Sequence, residues 1–490
     1  MIFYVIFVLW VIRIIANILS YIHLWYVKEY RFDRMFIHLR TKQGKRLPII
    51  PFRRPPVSFK TTVLFFCTVL MEAIIILFLP TGTKLLNFFI ADLLSFPEVS
   101  LFVFVFKIPT FLFHLVRIEQ AVRKLRKHKK MMVIGITGSY GKTSTKEIIY
   151  TLVSQKYPTL KTETSKNSPI AIAERVLSSL ATDHEVFIVE MGAYKRGEIA
   201  RMCGMVHPQV AVLTAINAQH QDLFGSIDTT MRAKYELVQG LSGKRVLIAN
   251  ADDSRVGTMS TWAKRDGVTV QTYSVKKKQA SLFATNIMNV ADGIEFVVHW
   301  QKRTAMIRVH LYGIHQAENI LAAMSTSIVC GMTFDEVCDA TKRILPFGKT
   351  MNLIAGIHGS TFIDDTYNNN PDAARVAIDF LASQKGRKFL VFQPMIELGN
   401  FDAQSHKDVG TYAAKVCDEI FLTNDNSYES FLDGVRMVDP NKKVLVLPAD
   451  KATTYLEKRI KKSDVVLFKG RESARILAML QKMKEINEPV

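Results

Sequence analysis

Apolar positions fall in two regimes along the chain: long uninterrupted runs before about residue 130, and short runs separated by turns and amphipathic stretches after it. Ile2 to Tyr26 is apolar apart from Arg13 and has the length a bilayer core requires. A cleaved leader fits badly, because the stretch is too long for its apolar region and no small-residue cleavage site follows. Thr61 to Pro80 is a second span, with Glu72 its one acidic residue. Leu85 to Val116 is apolar overall but broken by Asp92, Pro97–Glu98, Lys107 and Pro109. That pattern predicts a crossing over Val99 to Val116 and an interfacial or re-entrant piece over Leu85 to Phe96. From Met132 onward strands and helices alternate, which predicts mostly parallel, doubly wound sheets. The organisation expected is a membrane region at 1–130, a central α/β domain at 131–345 and a carboxy-terminal α/β domain at 346–490, without internal repeats.

Charge separates the same regions. Residues 1–130 hold 20 Lys/Arg against 6 Asp/Glu, a net of +14 out of +20 for the chain, so the remainder is only mildly basic. The basic excess flanks apolar spans and gives no reason to expect a nucleic-acid partner. Ten basic residues lie in Lys28 to Lys60 and seven in Arg117 to Lys130. Both segments are expected on the cytoplasmic side, which predicts about three spans with the first residue outside. Arg13, Glu72 and Lys107 are expected to snorkel or pair rather than form a functional set. Cys67, Cys203, Cys330, Cys338 and Cys417 show no CxxC spacing, against structural zinc or a disulfide scaffold.

The chemistry begins at MMVIGITGSYGKTSTKEIIYTLV. Met132 to Ile136 is a buried-strand pattern, Gly135, Gly138 and Gly141 bracket a turn, and Ile148, Ile149 and Leu152 have helical spacing. A strand, a glycine-rich turn and a helix start present backbone N–H groups and a positive dipole end to polyphosphate. Lys142 would neutralise the β/γ-phosphates and the Thr143 hydroxyl would hold Mg²⁺. Ile136 stands where the strict phosphate-loop pattern has its first glycine.

TGSYGKTST at Thr137 to Thr145 resembles the loop of the Mur ligases, a family that includes the folylpolyglutamate synthases and poly-amino-acid ligases. Further segments agree in order: VFIVEMGAYKRGEI ending its strand at Glu190, VAVLTAINAQHQDLFGS with His220, RAKYELV with Lys234, VLIANADD with Asp253, GIHQAENILAA with His315 and Asn319, FIDDTYNNNPDAA with Asp364 and Asp365, then MIELGNFDAQSHKDVG and LFKGRESARI. They look most like the branch that adds D-alanyl-D-alanine to a muramoyl peptide, over roughly residues 131 to 480. The apolar runs give amino-terminal transmembrane helices, and after them the resemblance implies a central phosphate-loop ATPase domain and a carboxy-terminal Rossmann-like α/β domain. It implies an ATP-dependent ligase that forms an amide through an acyl phosphate, in peptidoglycan-precursor synthesis. Its partners would be ATP, a precursor-like carboxylate, an amino acid or dipeptide amine, and the inner cell membrane, which the chain would cross several times with its catalytic domains in the cytoplasm.

The resemblance also distributes roles. Thr137, Gly138, Ser139, Tyr140, Gly141, Lys142, Thr143 and Ser144 would cradle the phosphates of ATP. Glu190, at a strand's carboxyl end, would join Thr143 as a hard oxygen ligand for Mg²⁺. His220 would serve a second Mg²⁺, although a histidine in a polar loop reads by itself as structural. Lys234 reads by itself as a helix-surface charge; the resemblance makes it a carbamoylated lysine, an anionic oxygen donor to metal. His315 and Asn319 would hold adenine, Asp365 the ribose hydroxyls, and Lys349 would contact the nucleotide. Asn167, Ser168, Asn368, Asn370, Lys469 and Arg471 are expected on the substrate side, with Asp364 and Tyr367 shaping the loop that carries Asn368 and Asn370. Lys142, Glu190, His220 and Lys234 form the expected catalytic set.

Four features depart from the family pattern. Membrane spans stand in place of the soluble domain that binds uridine diphosphate, Lys349 replaces an arginine, Gln316 replaces an asparagine, and the loop TETSKNSP is short. These leave open a different Mur-like ligase acting on a lipid-linked or poly-γ-glutamate acceptor. A membrane phosphate-loop transport or sensor ATPase is the alternative from another class.

Overall fold

The structure is a computed structural model that describes residues 2–40, 44, 52–81, 83–163, 166–193, 195–217, 226–290, 292–346, 348–367, 369–396 and 398–487. It divides into two compact units, Met1–Arg117 and Ile118–Val490.

The first unit is helical: Ile2–Val27, Phe32–Arg40, Phe59–Phe78, Lys84–Val105 and the start of Lys107–Leu125. Among the described residues three helical stretches, Val5–Val27, Phe59–Phe78 and Lys84–Leu125, are long and apolar enough to cross a membrane. A small core of Ile18, Ile22, Trp25, Leu64, Phe88, Ala91 and Val99 is buried, while Leu9, Phe66, Leu93 and Leu112 are exposed. Ser58 caps the second long helix, its hydroxyl accepting from the Thr61 N–H while Thr61 Oγ1 accepts from the Ser58 N–H.

The expected division between Phe96 and Val99 is corrected here. One helix, Lys84–Val105, runs through Pro97, and the break falls at Phe106. A proline removes a single N–H, and in an apolar setting the rest of the backbone has no better partner than its own helix. Pro109 falls in the first turn of the next helix, where N–H groups lack intrahelical partners anyway. Arg13 pairs with Asp92 at 3.0 Å rather than with Glu72 or Lys107, and Asn17 also donates to Asp92 at 2.8 Å.

The second unit holds two sheets. The first has the order β2-β3-β1-β4-β5-β6-β7-β8-β9, with β1 Met132–Thr137, β2 Thr159–Lys161, β3 Val186–Glu190, β4 Val210–Leu213, β5 Val246–Asn250, β6 Thr269–Ser274, β7 Leu282–Val290, β8 Gly293–Trp300 and β9 Arg303–Val309. Pairing is parallel from β2 to β7, then antiparallel through β8 and β9. That antiparallel meander is the exception to the mostly parallel pairing expected, its strands following one another without intervening helices. Successive side chains on β1 point to opposite faces: Ile134 and Ile136 join the core under helices Lys142–Val153 and Gln316–Val329, and Val133 joins the core on the other face. Ile118, Ala121, Val122 and Leu125 pack into that second core.

The second sheet has the order β10-β11-β15-β12-β13-β14, with β10 Asn352–Ala355, β11 Thr361–Asp365, β12 Lys388–Phe392, β13 Glu419–Leu422, β14 Val444–Val446 and β15 Val465–Lys469. All pairs except β10–β11 are parallel. In the first sheet β1 and β4 are neighbours, and the connection after β1 runs toward β2 while the one after β4 runs the opposite way, toward β5. The carboxyl end of β1 is therefore a topological switch point, where open α/β sheets form a crevice.

Candidate active site

The loop after β1 lies at that switch point. Gly138 has φ +156°, and a Cβ there would sit 1.9 Å from Thr214 Oγ1; Gly141 has φ +77° and caps helix Lys142–Val153. Both positions require glycine, the first for space and the second for its left-handed backbone. The loop is fastened from below: Ser139 N–H donates to Ala215 O at 2.6 Å, Thr214 Oγ1 to Tyr140 O at 2.6 Å, and Asn217 N–H to Ser139 Oγ at 3.0 Å. The Thr137 hydroxyl is buried against Met191 O at 2.9 Å, which ties β1 to the segment after β3.

Two lysines converge on one carbonyl of this loop. Lys142 Nζ lies 2.7 Å from Gly138 O and 3.2 Å from Ser139 O, and Lys234 Nζ lies 3.0 Å from Gly138 O. Burial pulls the Lys142 ammonium below its usual range, an effect that Glu190 partly offsets. Burial pulls Lys234 well below its usual range, and the charge of Lys142 adds to the effect. The amine of Lys234 is thereby biased toward its neutral form.

Glu190 ends β3 beside the loop and is only 2% exposed. Its Oε2 accepts from Thr143 Oγ1 at 3.0 Å and from Lys146 Nζ at 3.2 Å; its Oε1 accepts from Asn167 Nδ2 at 3.3 Å. Thr143 Oγ1 also meets the Tyr367 hydroxyl at 3.1 Å, so the loop after β11 reaches the same point. A second bridge between the two sheets' loops joins Asn217 Nδ2 to Asp372 Oδ2 at 2.9 Å. A hydroxyl and a carboxylate side by side are hard oxygen donors suited to magnesium. Among the described residues no three His, Cys, Asp or Glu side chains gather, so phosphate and water oxygens would complete such a shell.

The nucleotide-side residues are placed differently from one another. Asn319 sits under the loop with its amide already used: Thr145 Oγ1 donates to Oδ1 at 3.2 Å, and Nδ2 donates to Gln316 Oε1 at 2.9 Å. The glutamine in place of asparagine thus fixes the orientation of Asn319. His315 is half-buried next to Gly313, its Nδ1 buried and unpartnered, and burial, then the charge of Lys469, depress its pKa to about 4. An unfolded histidine near 6.5 takes up a proton that the folded one refuses, so this group's contribution to stability falls as pH drops from 6.5 toward 4. Denaturant midpoints at pH 7 and pH 5 should diverge more in the native chain than in His315→Leu; equal divergence would contradict this account.

Ser144 is half-buried in the first turn of the helix, and Lys349 is exposed with φ +66° and its carbonyl on the Tyr367 N–H at 3.0 Å. Ser168 is exposed just ahead of helix Pro169–Ser179. His220 and Asn368 lie outside the described residues. Asp364 Oδ1 is held by the Thr366 N–H and hydroxyl, and Asp253 caps helix Ser254–Arg265 while also accepting from Ile216 N–H at 2.8 Å.

Three of the substrate-side residues have protein partners in the structure. Lys469 Nζ lies 2.6 Å from Asp365 Oδ2 with both side chains buried, so each charge is answered by the other. Asn370 is 2% exposed and caps helix Pro371–Ala382, accepting from Ala373 N–H at 3.0 Å. Asn370→Ala should therefore cost about 1 kcal/mol in a denaturant titration, and an unchanged midpoint would exclude the capping role. Asn167 is turned toward Glu190. Arg471 is exposed and donates to Tyr367 O at 3.2 Å.

Sequence reasoning passed over Lys146, the fully buried partner of Glu190. The signal was present in its spacing, since Thr143 and Lys146 are three residues apart and share a helix face. The Asn217–Asp372 bridge had no such signal.

Residues 136–327 match the Mur ligase middle domain, and residues 351–472 match the Mur ligase, glutamate ligase domain. The chain belongs to the Mur ligase family. It is therefore an ATP-dependent enzyme that joins a carboxylate to an amine. Among curated relatives, the UDP-N-acetylmuramoyl-tripeptide–D-alanyl-D-alanine ligase of Escherichia coli K12 is 28% identical over 372 residues, covering 74% of this chain and 78% of that protein. The enzyme of the same name from Bacillus subtilis is 28% identical over 300 residues, covering 60% and 63%. Among solved structures, MurF from Acinetobacter baumannii superposes with a TM-score of 0.69 at 26% identity, over 75% of this chain and 80% of that one. The MurF ligase of Thermotoga maritima in complex with ADP gives 0.68 at 25%, over 76% and 84%. Both Mur ligase matches begin beyond the apolar helices.

Proposed function

We propose that the chain adds D-alanyl-D-alanine, or a similar amine, to the free carboxylate of a muramoyl peptide in peptidoglycan-precursor synthesis. One observation carries this reading: Thr143 and Glu190, 3.0 Å apart, meet beside Lys142 at the carboxyl ends of β1 and β3. The relatives' substrates then supply the acceptor and the amine.

In the proposed reaction the acceptor carboxylate oxygen attacks the γ-phosphorus of ATP, ADP leaves, and the amine displaces phosphate from the resulting acyl phosphate. Phosphoryl transfer depends mainly on positioning and charge stabilisation. The backbone N–H groups of Tyr140 to Thr143 hold the phosphates, and Lys142 moves from Gly138 O onto the β/γ oxygens. Thr143 and Glu190 would hold magnesium, which would supply positive charge against the transferring phosphoryl group. Lys234, if carbamoylated, would offer an anionic oxygen donor for a second metal, the role His220 would also serve. Tyr367 and Asp372 draw the loop after β11 over the site and exclude water that would hydrolyse the acyl phosphate. His315 and Asn319 line the nucleotide side, with Lys349 at its rim, and Ser168 and Arg471 stand at the acceptor side. In this reading residues 131–345 form the ATP-binding domain, 346–490 the carboxy-terminal domain, and 1–130 a membrane region.

The three apolar helices support placement in the cytoplasmic membrane, with both catalytic domains on the basic, cytoplasmic side. They also favour a second reading, in which the acceptor is lipid-linked or a poly-γ-glutamate chain. The test uses the full chain in detergent or nanodiscs with ATP and magnesium. UDP-muramoyl-tripeptide plus D-alanyl-D-alanine should release phosphate only when both are present, with an amide product of the summed mass less water. Turnover confined to a lipid-linked acceptor would select the second reading. ATP hydrolysis indifferent to every amine would defeat both.

A further inference from the structure

Glu190 is a buried carboxylate, and a buried charge needs an answering charge. Among the described residues Lys146 provides it. Its side chain is fully buried, and its ammonium lies 3.2 Å from Glu190 Oε2 and 3.5 Å from Glu147 Oε1. Glu147 is bound in turn by Lys161, which also stands over the Tyr150 ring. The chain Glu190–Lys146–Glu147–Lys161 therefore runs from the buried site outward to the half-buried Lys161 with charges alternating in sign. Lys142, the other nearby cation, is turned onto the carbonyls of Gly138 and Ser139.

We propose that Lys146 is a positioning residue: a resident counter-ion that occupies Glu190 when no nucleotide is bound and makes the site take up magnesium only together with nucleotide phosphate. The inference rests on the reading of Glu190 as a magnesium ligand. An incoming dication alone meets a carboxylate already answered by an ammonium, and it gains only Glu190 and the Thr143 hydroxyl from the protein. With nucleotide, phosphate oxygens complete the shell and outweigh the repulsion between metal and ammonium. Lys146 can then lean on Glu147, so neither buried charge is abandoned. Without Lys146 the carboxylate stands unanswered, and magnesium alone would fill the role.

The experiment is thermal unfolding of the full chain with and without magnesium chloride, in the absence and presence of ADP. The native protein should show no midpoint shift with magnesium alone and a clear one with magnesium plus ADP. Lys146→Met should unfold on the order of 5 °C lower without metal, and magnesium alone should return most of that loss. Lys146→Met/Glu190→Gln should be more stable than Lys146→Met and indifferent to magnesium alone, because neither charge is left without the other. If Lys146→Met cannot be purified, Lys146→Arg, which retains the charge, should behave as the native chain does; a magnesium-only shift in that variant would overturn the proposal. Equal responses of native and Lys146→Met proteins to magnesium alone would overturn it as well. A native protein that binds ADP no better with magnesium than without would instead remove the metal-site reading beneath it.

Discussion

Lys142→Ala should lower amide-forming turnover by about a thousandfold, the scale on which a preorganised donor to a developing charge acts. The structure supports a large effect because the ammonium has little else to do. It lies against the carbonyls of Gly138 and Ser139, at the mouth of the loop, in a setting where burial already disfavours its charge. A polyphosphate would replace two neutral acceptors with anionic ones and relieve that cost. The loop itself is fastened by Ser139, Thr214 and Asn217, so the variant should keep its fold and its melting profile. Phosphate release under saturating ATP is the measurement. Turnover within tenfold of the native value would refute the phosphate-loop assignment.

Lys234→Ala should lose about a hundredfold, and short carboxylates such as formate or acetate should restore part of the loss. Carbamoylation requires the neutral amine, whose nitrogen lone pair attacks carbon dioxide and sheds a proton. Burial and the neighbouring Lys142 push this lysine toward that form. Removing dissolved carbon dioxide should slow the native enzyme and leave Lys234→Ala unchanged. A competing role is visible in the same geometry, since Lys234 also braces the loop through Gly138 O at 3.0 Å. Loss of activity that no carboxylate restores, together with a lower melting point, would assign Lys234 to bracing alone.

Much of the site could be read from local pattern because its parts are local. A strand, two glycines with demanding backbones and a helix start are encoded within Met132 to Val153, and Glu190 is marked by the end of its own apolar run. What escaped the sequence depends on long-range partnership. Lys469 and Asp365 each looked available to a ligand, and only the adjacency of β11 and β15 reveals that they answer each other. Asn370 looked like a ligand residue within a polar run, whereas its neighbour Pro371 makes it a helix cap. The antiparallel strands Leu282–Val309 were hidden because alternation of strands with helices was extended over a stretch that contains no helix. The apolar segment around Pro97 was divided at its proline, although a helix without competing hydrogen-bond partners continues through one.

The most direct test of an acyl-phosphate ligase is to follow the carboxylate oxygen. With the acceptor carboxylate enriched in oxygen-18 and turnover started by ATP and amine, the released inorganic phosphate should carry one heavy oxygen for each amide formed. Phosphate containing only light oxygen would mean that water or another group attacks ATP, and the chemistry assigned to Lys142 and Glu190 would be contradicted.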